Sequence, residues 1–167
     1  RGMSSAASDV YKRQALQHVF FAERQAAKVP VLSKDTPLQT IKKVGVIGAG
    51  TMGGGISMNF ANVGIPVKIL EMDQAALDKG LGIVKKNYEA SAWKGRISSE
   101  DVDVRMGLIE GTTNYSDLKD VDLVIEAVFE NMDVKKEVFS KLNETVSENT
   151  ILACLLYTSP SPRDGLL

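Results

Sequence analysis

Apolar residues recur along this chain in two rhythms that take turns. Short unbroken runs occur at residues 43–47, 67–71, 122–125 and 150–153. Runs of this length without alternation predict strands buried on both faces. Between them the apolar positions fall at helical spacing. Met52, Ile56, Phe60 and Val63 form one such stripe, closed by Gly64. Leu77, Leu81, Val84 and Tyr88 form another within residues 74–94, and Val134, Val138, Phe139 and Leu142 a third within residues 132–146. These patterns predict amphipathic helices. Ser98-Ser99-Glu100-Asp101 resembles a capping box opening a short helix, and residues 109–113 read as a further strand. Strands alternating with helices predict an α/β fold with a parallel sheet. Ahead of it, residues 15–27 read as a helix with Leu16, Val19, Phe20 and Ala27 near one face, followed by a polar linker bracketed by Pro30 and Pro37.

Composition narrows the class. The chain has 167 residues, 44% hydrophobic and 25% charged, enough for one globular core. Its net charge of -1 gives no basic excess to attract nucleic acid. One cysteine, Cys154, allows neither a disulfide framework nor a zinc cluster, so no metal is expected. No apolar run reaches the ~20 residues of a membrane helix. No targeting signal is visible, and the compartment expected is the cytoplasm.

The two ends clash with the middle. Asp9-Val10-Tyr11-Lys12-Arg13-Gln14 can be written GAT GTG TAT AAG AGA CAG. The reverse complement, read one base on, encodes Cys154-Leu155-Leu156-Tyr157-Thr158-Ser159. Two ends of a natural protein have no reason to be complementary strands of one DNA element. Residues 4–14 and 154–164 therefore read as translated sequencing-library adapters, to be set aside like tags. The expected organisation is a tail at 1–14, a connecting helix and linker at 15–40, a truncated nucleotide-binding domain at 41–153, and a second tail at 154–167.

The chemistry is concentrated in Gly48-Ala49-Gly50-Thr51-Met52-Gly53, a G-x-G-x-x-G fingerprint between an expected strand and an expected helix. In that context Gly48 permits a tight turn, Gly50 lets the backbone approach a pyrophosphate, and Gly53 lets the helix pack on the sheet. This is the pattern of a doubly wound Rossmann sheet, with expected strand order 3-2-1-4-5. Glu71 ends the second strand, 21 residues after Gly50, close to the ~20 at which an acid meets the adenosine ribose. A carboxylate there repels a 2′-phosphate, so NAD is expected rather than NADP; Asp73 is the competing acid. The glycines carry no P-loop lysine after them, which argues against a nucleoside triphosphatase.

Two longer stretches resemble one family. Residues 46–56 look like the opening of the 3-hydroxyacyl-CoA dehydrogenases, and Asp122-Leu123-Val124-Ile125-Glu126-Ala127-Val128-Phe129-Glu130-Asn131 looks like their second signature. Residues 15–24 resemble the helix that, in multifunctional β-oxidation enzymes, links a preceding enoyl-CoA hydratase domain to the dehydrogenase. The resemblance implies an NAD-dependent oxidoreductase of fatty acid metabolism that acts on an acyl-CoA. It implies cofactor contacts at Gly48, Ala49, Gly50, Thr51, Met52, Gly53, Glu71, Val128, Phe129, Glu130 and Lys135. It also implies coenzyme A contacts at Asn87 and Lys94, although Asn87 departs from the family's usual small hydroxyl residue. In the family the fifth strand runs into Ser-Asn-Thr-Ser and then a catalytic histidine; here Cys154 stands at the first serine and the match stops. The one histidine, His18, precedes the glycine loop. No catalytic residue is therefore expected within the chain, nor the helical domain that follows in the family. The alternatives are a noncatalytic NAD-binding module and another Rossmann dehydrogenase, such as a 3-hydroxyisobutyrate type.

Overall fold

The computed structural model describes residues 3–26, 28–29, 33 and 35–155, with side chains from residue 10 onward. Residues 1–39 and 40–167 form two compact units. In the first, a helix α1 spans Met3–Ala26, continuous across the expected boundary at residue 15. Leu16, Val19 and Phe20 fall on it as expected but are at least 48% exposed. Phe20 and Phe21 meet edge to face at 5.5 Å, and Arg24 lies 4.2 Å over the Phe20 ring. The expected place of Ala27 on this face lies outside the described residues.

The second unit is a five-stranded parallel sheet, β1 Val44–Ile47, β2 Val67–Leu70, β3 Ile109–Thr112, β4 Leu123–Glu126 and β5 Ile151–Cys154, in the expected order 3-2-1-4-5. β1 is buried along its whole length, as a central strand covered on both faces must be. Helices α2 Thr51–Asn62, α3 Gln74–Trp93 and α4 Ser99–Gly107 cover one face, around Val46, Ile69, Leu77, Val84 and Tyr88. Helix α5 Met132–Thr145 and a 3-10 turn at Tyr115–Leu118 cover the other, around Ile47, Leu118, Val124, Val138 and Leu142. The capping box opens α4 as expected: Ser98 accepts from the Asp101 N–H at 3.0 Å, and Asp101 accepts from the Ser98 N–H at 2.9 Å.

The structure keeps Ile56 and Phe60 of the α2 stripe and Val138, Phe139 and Leu142 of the α5 stripe against the core and corrects the remaining positions. Met52 in α2 and Val63 at its C-cap are 60% and 71% exposed, whereas Gly53, Gly54, Ser57 and Ala61 are buried. Small residues allow the axis to approach its neighbours closely, since interaxial distance follows side-chain size at the contact. A Cβ on Gly54 would already lie 3.2 Å from Val84 of α3. The Ser57 hydroxyl stays satisfied there by donating to the Gly53 carbonyl at 2.7 Å. In α5 Val134 is 40% exposed, and the buried positions are Lys135, Val138 and Leu142.

Candidate active site

The strand order reverses between β1 and β4, and ligands of such sheets bind at the carboxyl ends of the strands at that point. The glycine turn sits there for three separable reasons. Gly48 has φ +103°, a left-handed conformation that L side chains rarely adopt, and a Cβ on it would lie 2.8 Å from the Ala127 carbonyl. Gly53 opens the first turn of α2 directly under Gly48, whose carbonyl oxygen would collide with a Cβ. Gly50 differs: no heavy atom lies within 4 Å of its would-be Cβ. It caps α2 without a side-chain hydrogen bond, and the first amides of a helix have no intrahelical partner. Open space before an uncapped helix start, with no side chain to fill it, fits a diphosphate group.

Helix α3 closes the turn from behind. A Cβ on Gly80 would lie 2.3 Å from the Ala49 carbonyl oxygen, whereas one on Gly82 meets nothing within 4 Å. Gly→Ala in a helix interior is worth ~0.5–1 kcal/mol of stability when space allows. We expect Gly82→Ala to raise the urea midpoint and Gly80→Ala to lower it, because pushing α3 off the turn outweighs the propensity gain. Equal midpoint shifts in the two variants would contradict the close approach.

Glu71 follows β2 and reaches across to the turn. Its carboxylate accepts the Ala49 N–H at 3.0 Å and the Met72 N–H at 2.8 Å. Asp73 is committed elsewhere, capping α3 by accepting the Ala76 N–H at 2.7 Å. Of the two acids, Glu71 is the one aimed at the glycine turn.

A second group of side chains stands at the ends of β4 and β5. Glu126 is 1% exposed. One carboxylate oxygen accepts the Val128 N–H at 2.8 Å; the other accepts from Lys135 Nζ at 3.1 Å and from the Cys154 thiol at 2.9 Å. Lys135 also donates to Cys154 Sγ at 3.3 Å. Burial opposes the charge on Glu126, but the bonds from Cys154, Lys135 and Val128 outweigh it and hold the carboxyl below its ordinary range. For Lys135 burial likewise opposes the charge, and the contacts to Glu126 and Cys154 more than restore it, raising the ammonium above its ordinary value. Lys135 is thus neither a solvated helix charge nor isolated. Between these residues and α5 the loop is fastened at its far end by Asn131, whose side chain accepts from the Asp133 and Val134 amides at 2.9 and 3.3 Å. Phe129, 90% exposed, and Glu130, also exposed, project from it.

The expected residues thus fall into three places. The residues 48–53, Glu71 and the 128–130 loop converge at the switch point, with Lys135 anchored behind the loop. Asn87 and Lys94 lie apart, exposed on α3 and at its C-terminal cap. Lys94 stands about 20 Å further along the helix axis than Gly80. Neither Glu126 nor Gly80 was singled out from sequence. Glu126 sat inside the second signature, and its place at a strand end was the only signal. Among the described residues no cluster of three His, Cys, Asp or Glu side chains could hold a metal ion, and no helix is long and apolar enough to cross a membrane.

Comparison with known proteins meets this geometry. Residues 43–159 match the family described as 3-hydroxyacyl-CoA dehydrogenase, NAD binding domain. The peroxisomal fatty acid beta-oxidation multifunctional protein MFP2 of Arabidopsis thaliana is 38% identical over 154 residues, covering 90% of this chain and 21% of that protein. The 3-hydroxybutyryl-CoA dehydrogenase of Clostridioides difficile is 44% identical over 111 residues, covering 66% of this chain and 40% of that protein. Among solved structures, FadB2 of M. tuberculosis superposes with a TM-score of 0.70 at 36% identity, covering 73% of this chain and 43% of the other. The chain spans between a fifth and two fifths of these curated relatives. A Rossmann sheet with a fitted diphosphate turn, an acid aimed at that turn, and a family match across the whole sheet leave one assignment: the chain belongs to the NAD-binding domain family of the 3-hydroxyacyl-CoA dehydrogenases.

Proposed function

We propose that this chain is the cofactor-binding part of an enzyme that oxidises (3S)-3-hydroxyacyl-CoA to 3-oxoacyl-CoA, with hydride passing to NAD. The observation that carries the reading is the Glu71 carboxylate held at 3.0 Å from the Ala49 amide, beside the open space over Gly50. Residues 48–53 would receive the diphosphate through backbone amides, and Glu71 the adenosine ribose hydroxyls. Val128, Phe129, Glu130 and Lys135 would line the nicotinamide half. When bound, NAD supplies the hydride acceptor; the chain's own residues bind it and fix its orientation. Asn87 and Lys94 are proposed, from the family resemblance, as contacts to coenzyme A. The parent protein is proposed to carry an enoyl-CoA hydratase domain before this one and a helical dehydrogenase domain after it. Residues 4–14 and 154–164 are read as translated adapter, so that Cys154 stands in for a serine of the parent.

The test is calorimetric titration of the chain with NAD and NADP, paired with NADH absorbance in the presence of 3-hydroxybutyryl-CoA. NAD should bind, and Glu71→Ala should weaken it by about 1.5–3 kcal/mol, the value of a hydrogen bond to a charged group. The same variant should narrow the preference for NAD over NADP. No turnover is expected, because general-base catalysis needs a group within reach of the hydroxyl proton, and the family's catalytic histidine follows the fifth strand whereas His18 precedes the glycine loop. A folded chain that binds no NAD would overturn the proposal, as would turnover abolished by His18→Ala.

A further inference from the structure

We infer that Glu126 is a positioning residue: it sets the 128–130 loop and the Lys135 ammonium against the glycine turn, and so builds the nicotinamide half of the site. The inference rests on the NAD-binding reading above and extends it to a residue that reading gives no contact with the cofactor.

Three observations carry it. The carboxylate is buried and divides its two oxygens, one holding the Val128 amide and the other the Lys135 ammonium of α5 and the Cys154 thiol of β5. The backbone on either side of it is tied to β1: Ile47 pairs with Glu126 in the sheet, and the Ala127 amide donates to the Ile47 carbonyl at 2.9 Å. Finally, the Ala127 carbonyl lies so close to Gly48 that a Cβ there would stand 2.8 Å away. The loop that Glu126 fastens is thus pressed directly on the diphosphate turn. A carboxylate is required for this rather than an apolar residue of equal size. It must accept from an amide and a cation together, whereas an amide side chain would turn an N–H toward the ammonium.

The dinucleotide has two halves that can be probed apart. ADP-ribose offers the adenosine, diphosphate and one further ribose, and NADH adds a ring whose fluorescence reports its surroundings. The 167-residue chain and its Glu126→Gln variant are titrated with each, by calorimetry and by nicotinamide fluorescence. The expected result is that Glu126→Gln binds ADP-ribose within about twofold of the parent chain while NADH affinity falls roughly tenfold and its fluorescence change on binding is lost. Should Glu126→Gln fail to fold, Glu126→Met with Lys135→Met removes both charges together, which a folded core tolerates. That double variant should keep ADP-ribose and lose the NADH signal. Equal loss of ADP-ribose and NADH in a folded variant, or an unchanged NADH signal, would overturn the inference. A parent chain that binds neither ligand would instead overturn the NAD-binding reading itself.

Discussion

Alanine at Gly53 should abolish NAD binding and cost the domain about 3 kcal/mol or more, the upper end of what overpacking costs. The new Cβ would meet the Gly48 carbonyl, which is backbone and cannot swing aside as a side chain would. Relief requires α2 to move off β1 or the turn to open, and either displaces the amides that would meet the diphosphate. Gly50→Ala separates the two effects. Gly50 has φ -70°, ordinary for any residue, and nothing lies within 4 Å of the added carbon. Its urea midpoint should stay near that of the parent chain while NAD affinity falls, because the carbon occupies the ligand's space alone. Urea unfolding and calorimetry on the two variants check this. A stable Gly53→Ala that binds NAD would refute the packing argument; a Gly50→Ala that binds normally would remove the diphosphate from this turn.

Lys135→Ala should destabilise the fold by about 2–3 kcal/mol at neutral pH, somewhat below the ~3–5 kcal/mol for breaking a deeply buried pair, because this one lies near the open end of the sheet. The loss arises from Glu126, left charged and buried without its cation. The pH dependence gives the sign. In the parent chain the folded carboxyl lies below its unfolded value of about 4.3, so its contribution is full above that pH and is lost as acid carries the solution through the folded value. The folded ammonium lies above its unfolded value of about 10.4, so its contribution is full below that pH and fades as base passes the folded value. Removing the lysine takes away its bond and its charge from Glu126 and leaves the bonds from Cys154 and Val128, so the carboxyl is held down less strongly. The gap between variant and parent should therefore shrink as pH falls below about 4. Thermal unfolding at several pH values measures it, and a gap independent of pH would mean the pair contributes packing and no charge.

Much of the domain was legible before any coordinates. Unbroken apolar runs mark strands covered on both faces, and helical stripes between them force a parallel sheet, because crossover connections leave no other arrangement. The glycine turn was legible for the same local reason. Its three glycines answer to a backbone angle, an open space and a helix contact, all within a few residues of one another. What the sequence determined by itself is therefore mostly local: element type, the turn and the distance from it to an acid, with the strand order following from the fold that these elements spell out.

The tertiary structure decided how polar groups divide among partners far apart in the chain. Glu71 and Asp73 are two residues apart and chemically alike; only the start of α3 shows that Asp73 is consumed as a cap while Glu71 reaches Ala49 across 22 positions. Periodicity marks Val134 as inward, yet α5 turns Lys135 to the core because a buried carboxylate on β4 awaits it. The α2 stripe holds at Ile56 and Phe60 but misleads at its two ends, where close approach of backbones buries glycine and alanine and leaves Met52 and Val63 in solvent. Hydrophobic pattern records an average over each element's surroundings. A buried ion pair and a glycine contact are single meetings between two elements, and their energies exist only once the sheet has brought those elements together.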